Sequence, residues 1–153
     1  MHNLTAVTKR IRLPLDTTTT YVGTADTTTL TTEGVDTSGY QGLLLRVGFG
    51  AVVNGTATTI KAAQSSDDAA TDAYSDIAGT SQTILDADDN KVREIEIWKP
   101  GKRWVNLIIT RATQNVTVDF MEAWLFGPLH AEPAQTAIIA GTERFNSPAE
   151  GTA

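Results

Sequence analysis

Between residues 116 and 126 every second position is apolar except Glu122, the others being Val116, Val118, Phe120, Trp124 and Phe126. Successive side chains of a strand point to opposite faces, so this alternation predicts a strand with one buried face that includes Trp124. Residues 104–110, WVNLIIT, are apolar at both parities, as expected of a strand central to a sandwich. Shorter runs predict strands over 42–52, 58–63, 74–77, 82–85 and 92–98, with 27–32 as a possible first strand.

Turn-forming sequences punctuate these runs: 36–39, Asn54-Gly55, 66–68, Ala78-Gly79, 88–90 and Pro100-Gly101. Asn-Gly accepts positive φ and Pro-Gly presets a type II turn. Threonine clusters at 17–20 and 27–32 add β-branched residues that favour pleated backbone. Seven or eight short strands without alternating helices predict an all-β fold, an antiparallel β-sandwich of jelly-roll or Ig-like type.

The pattern fades at both ends. Residues 1–24 and 128–153 read as extended arms around a domain spanning 25–127, the second arm carrying Pro128, Pro133 and Pro148. Residues 133–140 have the composition of one or two helical turns begun by proline. Leu13, Leu15, Leu129, Ile138, Ile139 and Phe145 make the arms more apolar than free tails need, which suggests segments that lie on a partner.

A chain of 153 residues fits one domain that buries a substantial core. It has no cysteine, which excludes disulfides, thiol catalysis and cysteine-ligated zinc. The basic residues near the amino terminus follow its short apolar stretch, the wrong order for a signal peptide, and no run approaches the ~20 apolar residues of a membrane helix. A soluble protein made in a cytoplasm is expected.

Net charge is −6, which disfavours a general nucleic-acid binder. Its distribution is uneven. Lys9, Arg10 and Arg12 make residues 1–15 basic (+3), residues 16–90 carry −9, residues 91–111 carry +4 and the remainder −4. Cations gathered in an arm and a hairpin suit docking on an acidic surface.

Candidate chemistry is sparse. The histidines are His2 and His130, neither beside a serine nucleophile in a suitable turn. The run from Asp86 to Asn90 resembles the start of a calcium loop, but Lys91 and Ile97 stand where that loop needs glycine and glutamate, so it reads as an acidic turn. No catalytic residue, cofactor or metal ligand is assigned. The segment from Trp98 to Trp104 is the most distinctive, with Lys99, Lys102 and Arg103 on a turn between two tryptophans. It reads either as an interface anchor or as a hairpin whose aromatics stack on its own cations.

In order, the stretches DTSGYQGLLLRVGFGAV, KAAQSSDDAATDAYSDIAG, DADDNKVREIEI, GKRWVNLIIT and VTVDFMEAWLFGPLHAEP resemble tailed-phage capsid decoration, or head cement, proteins. QSSDDAATDAYSDIAG is similar to their hairpin pattern QESDD…F.DI.G, and KRWVNLIIT to their KRYVRL strand. The resemblance spans roughly residues 35–133. It implies a β-sandwich subunit, often trimeric, on the outer surface of an icosahedral shell, bridging major capsid protein subunits with its arms and carrying no catalytic residue. The interface expected is Lys9, Arg10, Arg12, Leu13, Leu15, Trp98, Lys99, Lys102, Arg103, Leu129, Ile138, Ile139 and Phe145, with no nucleic-acid or membrane partner. The alternative is a carbohydrate-binding or host-adhesion sandwich using Trp98, Trp104, Trp124, Tyr40 and Tyr74 as a stacking platform, weakened by the parity that places Trp124 in the core.

Overall fold

The computed structural model describes residues 4–15, 23–130 and 133–141. One helical turn, α1 (Leu4–Val7), leads into strands β1 (Thr8–Arg12), β2 (Gly23–Asp26), β3 (Leu30–Thr31), β4 (Val35–Asp36), β5 (Tyr40–Val52) and β6 (Thr59–Ser65). Then follow β7 (Ser75–Asp76), β8 (Gln82–Thr83), β9 (Val92–Trp98), β10 (Trp104–Thr110) and β11 (Val116–Pro128).

These strands make two antiparallel sheets packed face to face, the all-β sandwich expected from the alternating runs. The first sheet has β1 and β2 end to end along one side of β11, then β5, then β9. In the second, β3 and β4 lie end to end along β10, followed by β6, with β7 and β8 end to end on its far side. Three of the four sheet edges are interrupted, whereas β9 is a continuous edge strand.

The core lies between the sheets. Leu43, Leu45, Val47 and Phe49 of β5, Met121, Ala123 and Leu125 of β11 and Ile95 and Ile97 of β9 meet Ile60 and Ala62 of β6 and Val105, Leu107 and Ile109 of β10. Each strand supplies alternate residues, as period two requires.

β11 departs from its sequence pattern. Register shifts against β5 fall between Val116 and Val118 and between Val118 and Phe120. Such a bulge adds a residue and reverses the face on which later side chains fall. Val116 and Val118 therefore join the core, whereas Phe120, Glu122, Trp124 and Phe126 are half-buried on the outer face. The expectation that Trp124 shares a core face with Val118 is thus corrected. The apparent exception, Glu122, lies on the face suited to it.

Within the expected arm of residues 1–24, residues 8–13 are part of the first sheet. Residues 8–12 pair with Phe126 to Glu122, and the Leu13 N–H continues the ladder to the Met121 carbonyl at 2.8 Å. Leu13 is 1% exposed, so it serves the core and not an interface. The chain then crosses to the second sheet, where Leu15 bridges Thr32 and the Pro14 carbonyl accepts from the Glu33 N–H at 3.1 Å. The threonine run at 17–20 lies outside the described residues.

The carboxy-terminal segment also returns to the domain. The Gln135 amide accepts from the Arg10 N–H at 3.0 Å and donates to the Thr8 carbonyl at 2.7 Å, while the Thr136 hydroxyl donates to the Arg10 carbonyl. One side chain thus satisfies the free edge of β1 as a strand would. Instead of the expected helical turns, residues 133–141 hold a single turn, closed by the Ile139 N–H on the Thr136 carbonyl.

Buried polar side chains pin the loops. The Arg111 side chain, 2% exposed, donates to the carbonyls of Thr24, Thr28 and Val116 and to the Thr28 hydroxyl, at 2.6–3.0 Å. Gln114 accepts from the Thr58 N–H and donates to the Ile84 carbonyl and to Asp86. Asp88 accepts from the Leu85 N–H and from Arg93.

Candidate functional site

At one end of the first sheet, Gly42 lies between Trp98 on β9 and Phe126 on β11. With no side chain at Gly42, the two rings meet above it in a stack, centroids 5.9 Å apart and planes 22° apart. A Cβ there would stand 2.6 Å from Phe126 Cζ. The stack fixes Trp98 without covering it, and the residue remains 55% exposed.

Two further large apolar side chains share this end. Leu129, 56% exposed, follows β11 and is held by its N–H on the Gly39 carbonyl at 2.9 Å. Leu4, 57% exposed, sits on α1, whose Leu4 carbonyl accepts from the Thr8 hydroxyl; Thr8 is the cross-strand partner of Phe126. Lys99 adds a cation, its Nζ 5.9 Å from the Trp98 ring centroid and its backbone in the left-handed region at φ 50°. Exposed apolar groups clustered beside a cation are the composition of a docking surface.

Along the same outer face runs a row of alternating charge. Arg12 pairs with Glu122, Glu122 with Arg46 and Arg46 with Glu94 in register across four strands. The Arg46 guanidinium donates to Glu94 at 2.6 Å and to Glu122 at 2.5 Å, and lies 5.9 and 5.5 Å from the ring centroids of Phe120 and Trp124. Ile138 and Ile139 close a cavity of about 230 Å³ here with Arg10, Arg12, Phe120 and Trp124.

The basic turn between β9 and β10 is largely neutralised within the chain. Lys102 binds both Asp72 oxygens, at 2.8 and 3.0 Å, and Arg103 forms a two-pronged pair with Asp36 at 2.6 and 2.8 Å. The Lys102 ammonium, with the Ser66 N–H and hydroxyl, holds the Asp72 carboxyl at about 2. Arg103 lowers Asp36 in the same sense. Of the local cation–aromatic stacking expected of Lys102 or Arg103, the structure has Arg103 over Trp104, while Lys99 lies over Trp98.

This turn also crosses from one sheet to the other. Trp98 faces out from the first sheet with Trp124, and Trp104 from the second, where it lines a cleft with Tyr74. Tyr40 packs against the core, and burial raises its phenol. The five aromatics therefore form no common platform. Their separation follows from strand pairing, which residue type and spacing do not reveal.

Of the thirteen residues expected at an interface, Trp98, Lys99 and Leu129 come together at one end of the first sheet. Arg10, Arg12, Ile138 and Ile139 meet on its outer face farther along, Lys9 of β1 pairs with the core residue Leu125 and so lies on the other face, and Lys102 and Arg103 are engaged by aspartates. Leu13 is in the core, Leu15 packs against it, and Phe145 lies outside the described residues. Sequence reasoning missed Leu4, whose exposure depends on where α1 docks, and Arg46, whose acidic partners sit 48 and 76 residues away.

Among the described residues no group of three or more His, Cys, Asp or Glu side chains is arranged to hold a metal ion. In the 86–90 turn, Asp86 accepts from Gln114, Asp88 from Arg93 and Asp89 from the Val52 N–H. None of the described helices is long and apolar enough to cross a membrane. No protein-family model and no curated protein matches the chain.

Proposed function

We propose that this chain is a non-catalytic virion protein that docks on the outer surface of a phage capsid and stabilises the shell by bridging major capsid protein subunits. The observation that supports this reading is the end of the first sheet, where Leu4, Trp98 and Leu129 are each more than half exposed beside Lys99. The resemblance in residues 35–133 supplies the kind of partner, an assembled protein shell.

A ligand that binds only the assembled state stabilises it by mass action, and many copies of a modest contact suffice. A trimer suits a shell position of threefold symmetry. The test is thermal disruption of shells assembled from the cognate major capsid protein, with and without saturating protein. The reading requires a higher disruption temperature with the protein bound, and an unchanged temperature at saturation opposes it.

The second reading, a carbohydrate-binding or host-adhesion domain, draws on the outward position of Trp124 and the exposed face of Trp98. A glycan array distinguishes it: selective binding lost on Trp98→Ala favours adhesion, and no binding favours the shell.

A further inference from the structure

On the outer face of the second sheet, the 66–74 hairpin and residues 31–34 border a cleft of about 440 Å³. Asn106 of β10 lines it. This residue is only 3% exposed, and its Oδ1 has no hydrogen-bond partner in the protein. Burying a carboxamide oxygen without a donor sacrifices its hydration for nothing in the free molecule, so a donor from elsewhere is the expected complement.

The other lining groups specify that donor. The charged side chains bordering the cleft are Glu33 and Asp68, both acids. The nearby cations are committed elsewhere, Lys102 to Asp72 and Arg103 to Asp36. The Thr32 hydroxyl is engaged by the Leu107 N–H and the Glu33 carbonyl. Trp104, Tyr74 and Ile108 supply aromatic and aliphatic wall. The hairpin comes this close because residue 34 is glycine: a Cβ there would stand 2.1 Å from the Tyr74 hydroxyl and 2.3 Å from Asp68 Oδ1, the hydroxyl donating to that carboxylate oxygen. Asp68 and Ala69 both hold positive φ, at 58° and 66°, a costly arrangement for non-glycine residues.

We infer that this cleft binds a primary ammonium group on a short aliphatic stem, with Asn106 Oδ1 accepting from the nitrogen and Glu33 and Asp68 supplying the counter-charge. The stem packs on Ile108 and Trp104. A lysine side chain of a partner protein and a free alkylamine carry the same chemistry.

The test is a ¹⁵N–¹H titration of the full chain, following the Trp104 indole and Asn106 carboxamide signals. The probes are Nα-acetyl-lysine methylamide, n-butylamine at matched pH, and Nα-acetyl-norleucine methylamide as the uncharged control. Saturable shifts with either amine and none with norleucine support the inference; the lysine derivative alone identifies a protein side chain, butylamine alone a free amine. Glu33→Gln, at an exposed position, is expected to weaken binding about five-fold, and Asn106→Leu to abolish it. No saturable shift with either amine, equal shifts with norleucine, or undiminished binding in Glu33→Gln overturns the proposal.

Discussion

Phe120 lies across Gly48, its cross-strand neighbour on β5, with its ring where a side chain at residue 48 would stand: a Cβ would be 2.2 Å from Phe120 Cε1. The glycine weakens the strand by leaving its backbone uncovered, and the aromatic ring covers it. Gly48→Ala is expected to destabilise the fold by about 1–3 kcal/mol through this overlap. Because Phe120→Ala removes the obstruction, the double variant should cost less than the sum of the two single changes. Denaturant unfolding of the four proteins measures that coupling.

Arg111 ties β2 and the turn that follows it, through Thr24 and Thr28, to Val116 of β11. Arg111→Met leaves the Thr24, Thr28 and Val116 carbonyls without this donor, and a loss of roughly 3 kcal/mol is expected. Arg111→Lys keeps the charge but not the planar fork, and should lie between the two. Amide exchange in residues 24–28 should accelerate in both variants.

The pair between Asp72 and Lys102 makes a pH prediction. The carboxyl titrates at about 2 in the folded chain, below its ordinary 3.8, so the unfolded state takes up the proton first as the solution is acidified. The pair's contribution is complete above about pH 4 and is lost as pH falls through about 2. Carboxyl NMR should place the Asp72 midpoint near 2, and Lys102→Met should move it up toward the ordinary value.

Leu13 and Leu129 looked alike in sequence, as apolar residues in flanking arms. Leu13→Ala opens the core and should cost about 2–5 kcal/mol, whereas Leu129→Ala removes an exposed side chain and should change stability by less than about 0.5 kcal/mol. Thermal unfolding of the two variants separates a core residue from a surface one.

The strands of the sandwich were legible because period-two alternation is local: residues 92–98 and 104–110 form strands over the expected spans. What escaped depends on partners distant in sequence. No local signal marks the β11 bulge between Val118 and Phe120, so Trp124 was placed on the wrong face. Residues 8–12 lack an extended apolar pattern because this strand at the sheet edge carries a single apolar residue, Ile11 facing Ala123 while Arg10 and Arg12 face outward. The cations of the 98–104 turn were visible, but not the aspartates at 36 and 72 that neutralise them.

Co-sedimentation with shells assembled from the cognate major capsid protein bears most directly on the proposed docking end, using the double variant Leu4→Asp, Leu129→Asp alongside the unaltered chain. Both positions are more than half exposed, so the variant should keep its unfolding midpoint. The unaltered protein is predicted to pellet with the shells and the folded variant to remain in the supernatant. Equal binding by the two proteins, or failure of the unaltered chain to bind at all, would contradict the account.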